Sequence, residues 1–255
     1  MIINTYTINF KYEDEFNSTY IETEDVKSIS EIEAIKILKE NYQDDELEII
    51  NVEMKQNIGL AVMRMQPTHE GHFELISRMM KEMDIVIVGL GSIQESGNIN
   101  NPFTPKQRRE MIEKVFGVTG KKSKLKIVEL KDLGTVSKIA WASFVFGKID
   151  GMNLPKPNHY YAGSKHDASW FDALNNEYGE NTIQIHIVDR LKESICMSGT
   201  EIRKAIMDES DEWKEFVPPV LIPYIENTFP SELKLSNNID VKAEKLAFEK
   251  LKSKN

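Results

Sequence analysis

Short apolar runs alternate with amphipathic stretches from residue 58 onward, a pattern that few architectures accept. IGLAVMR (58–64) leads through a proline-containing turn into the helical stretch EGHFELISRMMKE (70–82). DIVIVGLG (84–91) and a polar loop precede TPKQRREMIEKVF (104–116), and KLKIVEL (124–130) follows. HYYAGS (159–164) with a helix around 167–178, then TIQIHIVD (182–189) with a helix from 200, extend the series. This order predicts an α/β fold, a doubly wound parallel sheet with right-handed crossovers and helices on both faces. Ligands of such sheets bind at the carboxyl ends of the strands, near the point where strand order reverses.

The first 57 residues read differently. NTYTINFKY (4–12) and NSTYIETED (17–25) flank an acidic turn and predict a hairpin. Ser28 and Glu31 have capping-box spacing, with Ile32, Ile35, Leu38 and Tyr42 as an apolar stripe behind them. LEIINVEMK (47–55) completes a small α+β module. Fourteen acidic against five basic residues give this part the whole of the net charge of −9, and the remaining residues balance. Such a leader repels nucleic acid and anionic membranes. The expected organisation is a module over 1–57 that packs or mediates oligomerisation, a main domain over 58–230 and a helical tail over 231–255. No apolar run reaches the roughly 18–20 residues of a membrane span, no signal peptide is evident, and one cysteine, Cys196, fits a reducing cytoplasm.

Two stretches carry chemistry. Gln66-Pro67-Thr68-His69-Glu70-Gly71-His72 joins the first strand of the main domain to its helix. It sets two imidazoles three residues apart on one helical turn, with Gly71 leaving room for a ligand. A helix N-terminus suits a phosphate, and two ring donors there can stabilise charge on a phosphoryl group. Metal ligation lacks a third ligand nearby, and a purely structural pair stays open at this point. The second stretch, Met197-Ser198-Gly199-Thr200-Glu201-Ile202-Arg203, places capping residues and an arginine fork at the start of the last helix. A plain cap beside a surface arginine is the alternative.

Together, His69-Glu70-Gly71-His72 has the H-x-G-H form, and Ser198 to Arg203 resembles the S-x-T-x-x-R signature, of the nucleotidyltransferase superfamily. Arg64-Met65-Gln66-Pro67, Gly91-Ser92-Ile93-Gln94-Glu95-Ser96, and Asn101-Pro102-Phe103-Thr104 with Arg108 further resemble the archaeal-type nicotinamide mononucleotide adenylyltransferases over about residues 58–225. The resemblance implies a Rossmann-like enzyme that joins ATP and nicotinamide mononucleotide (NMN) into NAD and pyrophosphate. It implies that His69 and His72 hold the ATP phosphates, that Arg64 and Arg203 steady the transferring and leaving groups, and that Ser198, Gly199 and Thr200 bind phosphate. Met65 and Gly71 would lie against ATP, and Gly163, Ser164 and Asp167 against adenosine. Ser92, Gln94, Asn101, Pro102, Phe103 and Trp141 would form the NMN pocket, with Arg108 on the NMN phosphate. Mg²⁺ would ride on ATP oxygens with no metal site on the protein, and the protein would act as a homo-oligomer.

The chain departs from the family at Met65 and Thr68, where aromatics are usual, and at Gly97, where histidine is frequent. No Nudix signature occurs, Gly89-Leu90-Gly91 lacks the third glycine of a dinucleotide fingerprint, and Ser164, His166 and Asp167 lie too close for a hydrolase triad. Lys121-Lys122-Ser123-Lys124 reads as a solvated turn, and Trp170, Phe171 and Trp213 as packing residues. Rival readings are the same chemistry on phosphopantetheine, FMN or a phospho-alcohol, and a catalytically silent nucleotide sensor.

Overall fold

A computed structural model of the chain describes residues 4–13, 18–43, 47–117, 123–178, 183–188 and 197–234. Contacts divide the chain into two compact units, Met1–Gln56 and Asn57–Asn255. Cys196, Lys121, Lys122, the acidic turn at 14–17 and the expected tail helix beyond residue 234 lie outside the described residues.

In the first unit, β1 (Asn4–Glu13) is the central strand between β2 (Thr19–Ser28) and β3 (Glu48–Lys55), both antiparallel to it. Alternate residues Tyr6, Ile8 and Phe10 point to one face, where α1 (Glu31–Tyr42) covers them with Ala34 and Leu38. The helix begins two residues later than its sequence suggests. Ser30, in extended backbone, accepts from the Glu33 amide at 3.2 Å, whereas Ser28 is still the last residue of β2 and bonds the Glu33 side chain. Ile32, expected on the apolar stripe, is 82% exposed, and Ala34 lies on the buried face with Leu38.

The second unit is built on a five-stranded sheet of β4 (Ile58–Met63), β5 (Ile85–Leu90), β6 (Leu125–Glu129), β7 (His159–Ala162) and β8 (Gln184–Ile187). All pairs are parallel and the order is β6-β5-β4-β7-β8. The order reverses at β4, so the loops leaving β4 and β7 open the crevice where this architecture binds ligands. Strands are apolar on both sides because both faces are covered. Ala61, Met63, Val86 and Val88 meet α2 (Glu70–Glu82) and α3 (Pro105–Phe116), while Leu60, Ile87 and Val128 meet α4 (Lys138–Asp150) and α5 (Lys165–Tyr178). The helix α4 was not anticipated. KIAWASFVFGKID is apolar around its whole circumference and so lacks the one-sided stripe by which an amphipathic helix is read. Beyond α6 (Gly199–Met207), two short 3-10 turns and α7 (Ile222–Thr228) pack through Trp213, Leu221 and Ile225 onto Phe103 and Met111.

Capping sets where α3 begins, and with it the end of the loop over the crevice. Thr104 accepts from the Gln107 amide at 3.2 Å while the Gln107 side chain accepts from the Thr104 amide at 2.8 Å. Removing such a cap costs about 1 kcal/mol. Thr104→Ala should therefore lower the unfolding free energy of this unit by that amount in urea titration, and an unchanged midpoint would contradict the assignment.

Candidate active site

The loop from β4 to α2 is shaped before any ligand arrives. Met65 holds a left-handed φ of 54° and is buried. Gln66 is tied at both ends of its amide: Nε2 donates to the Phe103 carbonyl and Oε1 accepts from the Phe103 amide, each at 2.9 Å. His69 then caps α2, its Nδ1 accepting from the Gly71 amide at 3.1 Å. His72 Nδ1 accepts from the His69 amide at 3.3 Å. With both Nδ1 atoms acting as acceptors, each neutral ring carries its proton on Nε2. The rings lie 3.8 Å apart and are buried. Sequence reasoning placed the anion site on the amides of the helix N-terminus. The structure gives the Gly71 amide to the His69 ring.

Opposite them stands the start of α6. Ser198 and Glu201 form a reciprocal cap, Glu201 N donating to Ser198 Oγ at 3.3 Å and Ser198 N to the Glu201 carboxylate at 2.6 Å. Those hydrogen bonds hold the Glu201 carboxyl below its ordinary pKa. The amides of Gly199 and Thr200 make no hydrogen bond among the described residues. Arg203 reaches back across the crevice: Nη1 donates to the carbonyls of Gln66 (2.7 Å) and Gly199 (2.9 Å), Nε to Ile99 O (2.9 Å) and Nη2 to Thr200 Oγ1 (3.0 Å). Four of the five guanidinium N–H groups are thereby committed, and the fifth has no partner among the described residues. Burial, and then the neighbouring Arg64, draw the Arg203 pKa down.

All of this borders one cavity of about 560 Å³. Its lining brings together the expected His69, His72, Arg64, Arg203, Met65, Ser92, Trp141, Asp167, Ser198, Gly199 and Thr200. Arg64 is exposed and has no hydrogen-bond or ion-pair partner for its guanidinium among the described residues. The two stretches 130 residues apart in sequence do converge: a β-carbon built on Gly199 would lie 3.5 Å from the Gln66 carbonyl and 3.7 Å from the His69 ring.

Other expected residues lie elsewhere. Arg108 is completely buried and donates to the carbonyls of Arg64, Gly91 and Ser92, so it does not face the cavity as a phosphate ligand would. Phe103 packs into the core with Ile202 and Trp213, because its backbone is held inward by Gln66. Asn101 and Pro102 are buried beside it and do not line the cavity. Gln94 is turned to Asp132, exchanging two 3.0 Å hydrogen bonds with its side chain and amide. Gly163 and Ser164 stand behind the wall, where Ser164 caps α5 and donates to Asp167 at 2.8 Å. Gly71 is inside the first turn of α2.

Sequence reasoning missed Lys131, Asp132, Tyr160 and Trp170, all of which line the cavity. Trp170, expected to be a packing residue, forms an aromatic corner with Trp141, ring centroids 5.1 Å apart and inclined by 51°. Its position one turn after Asp167 on a helix was the available signal. Charge in the cavity is mainly positive, from Arg64, Lys131 and Arg203 against Asp132 and Asp167. Among the described residues no group of three or more His, Cys, Asp or Glu is placed to hold a metal, and no helix is long and apolar enough to cross a membrane.

A parallel sheet with paired imidazoles after its central strand and a capped helix facing them defines a nucleotidyltransferase, and the sequence agrees: residues 60–205 match the cytidylyltransferase-like family. Among curated relatives, the nicotinamide-nucleotide adenylyltransferase of Thermococcus sibiricus is 32% identical over 169 residues, 66% of this chain and 82% of its own. That of Methanococcus aeolicus is 30% identical over 170 residues, 66% of this chain and 87% of its own. The chain belongs with them to the nicotinamide-nucleotide adenylyltransferase family. A solved bifunctional NMN adenylyltransferase/ADP ribose pyrophosphatase from Francisella tularensis, crystallised with AMP and a manganese ion, shares the fold at a TM-score of 0.57 and 21% identity. The alignment covers 76% of this chain but only 56% of that one.

Gln66→Leu keeps the side-chain volume and removes both ties to Phe103, leaving a buried amide and carbonyl without partners at a cost of about 1–3 kcal/mol each. The expected result is a loss of unfolding free energy in that range together with weaker binding of an ATP analogue by calorimetry; unchanged values of both would contradict the bracing role.

Proposed function

We propose that the protein transfers AMP from ATP to NMN, forming NAD and pyrophosphate. The observation that carries this reading is the single cavity in which His69, His72, Arg203 and the start of α6 face one another, with Arg64 and the Trp141–Trp170 corner on its walls. A phosphate oxygen of NMN attacks the α-phosphorus of ATP, one P–O bond forms, and the bond to the β-phosphate oxygen breaks. Pyrophosphate leaves with the electron pair. NMN brings its own nucleophile already ionised, so no protein base is needed and catalysis consists of alignment and charge stabilisation.

The residues divide that task. The Nε2–H donors of His69 and His72, the amides of Gly199 and Thr200 and the Thr200 hydroxyl take the triphosphate, whose charge shifts toward the leaving oxygens in the transition state. The remaining Arg203 N–H joins them, and the exposed Arg64 guanidinium follows the α-phosphoryl group. Trp141 and Trp170 offer aromatic faces to the pyridinium ring, a favourable partner for a cation. Mg²⁺ enters as part of the MgATP substrate. The cavity's donors are cationic groups, amides and hydroxyls, and its two carboxylates already accept from Gln94 and Ser164, so this donor set fits metal-bound phosphate better than a bare ion. A cytoplasmic setting belongs to the same proposal and rests on the single cysteine.

Pyrophosphate release should appear with ATP and NMN together. Turnover only with phosphopantetheine, FMN or a phospho-alcohol would overturn the acceptor assignment, and nucleotide binding without turnover would mark a sensor. His72→Ala should lower kcat by about 10²–10³ with little change in KM for ATP, as for loss of one transition-state donor; an unchanged kcat would remove His72 from the mechanism.

A further inference from the structure

Arg108 is 0% exposed, yet no carboxylate among the described residues hydrogen-bonds it. A guanidinium withdrawn from water costs several kcal/mol unless its donors are satisfied. Carbonyls take three of its five N–H groups: Nη1 donates to Arg64 O at 2.8 Å and to Gly91 O at 2.7 Å, and Nη2 to Ser92 O at 3.2 Å, while the buried Nε has no partner among the described residues. These carbonyls belong to the residues that follow the two adjacent central strands, β4 and β5. At the same two places the backbone is strained: Met65 has φ 54° and Ser92 φ 52°, left-handed values that side-chain-bearing residues adopt at a cost. Met65, Ser92, Gly91 and Arg64 all line the cavity that Arg108 itself does not reach.

From this geometry we infer that Arg108 is a positioning residue for adenylyl transfer: from beneath the cavity it holds the ends of β4 and β5 in their left-handed turns and thereby fixes where Arg64 and Ser92 stand against the substrates. The inference rests on the reading of the cavity given above. Only a planar fork with several donors can grip carbonyls from two strands at once, which is why lysine replaces it poorly. Burial draws the Arg108 pKa down to about 10, with Glu129 and Asp132 the carboxylates whose field opposes that fall. The guanidinium therefore keeps its charge through neutral pH.

The test compares wild type, Arg108→Lys and Arg108→Met in steady-state kinetics between pH 7 and 9, with thermal unfolding followed in parallel. Arg108→Met should lower kcat about tenfold to a hundredfold, as for misplacement of a reacting group, while KM for ATP moves less than threefold. Arg108→Lys should recover part of that loss at pH 7 and lose it again as pH rises, because a buried ammonium deprotonates well below its ordinary pKa, whereas wild type stays level. Folded Arg108→Met with kcat within twofold of wild type overturns the inference. If Arg108→Met does not fold, an Arg108→Lys profile parallel to wild type overturns it instead. Should wild type make no NAD at all, the functional reading fails separately. An inference about adenylyl transfer falls with that reading, whereas a wild type that makes NAD leaves the Arg108→Met and Arg108→Lys kinetics to decide it.

Discussion

The Gln66 carbonyl accepts a 2.7 Å hydrogen bond from Arg203, a residue 137 positions further along the chain, and the shape of the cavity depends on that tie. The same guanidinium holds Gly199 O and Ile99 O, so it joins the loop after β4, the loop before α3 and the start of α6. Hydrogen bonds involving a charged group contribute about 1.5–3 kcal/mol each, and several together offset the several kcal/mol needed to bury the cation. Gln66 adds its own two-point bond to Phe103. The histidine pair is therefore presented from a backbone that is braced on more than one side. Such bracing suits a reaction whose catalysis is alignment: a site that does not need to reorganise spends little free energy when charge shifts onto the leaving group.

Much of this was readable in the amino-acid order, and the parts that were not have identifiable causes. Periodicity places α2 over 70–82 as observed, because Leu75, Ile76 and Met79 form a one-sided stripe. The parallel sheet follows from strands that are apolar on both faces. The helix α4 escaped the same reasoning since its apolar residues have no preferred side. At α1 two serines stood two residues apart, and only tertiary structure decides that Ser28 finishes a strand while Ser30 caps the helix.

The site shows the same division. Residues whose role is to present a polar group at a helix start, His69, His72, Ser198 and Thr200, were legible because local chain geometry determines where such groups point. The sequence points to Arg108 and Arg203 alike as phosphate ligands, since a motif records that an arginine is present but not how its donors are shared. Burial settles it differently for the two: Arg203 borders the cavity, and Arg108 gives three N–H groups to backbone carbonyls of residues that line it. Trp170 was legible only once α5 was seen to bring it against Trp141.

Two histidines on one loop and the capped start of a distant helix are held to grip one triphosphate between them. A crystal structure with a non-hydrolysable ATP analogue examines that directly. The account expects β- and γ-phosphate oxygens within hydrogen-bond distance of a His69 or His72 Nε2 on one side and of the Gly199 or Thr200 amide on the other. Phosphates bound to one of these elements alone, or outside the cavity, would contradict it.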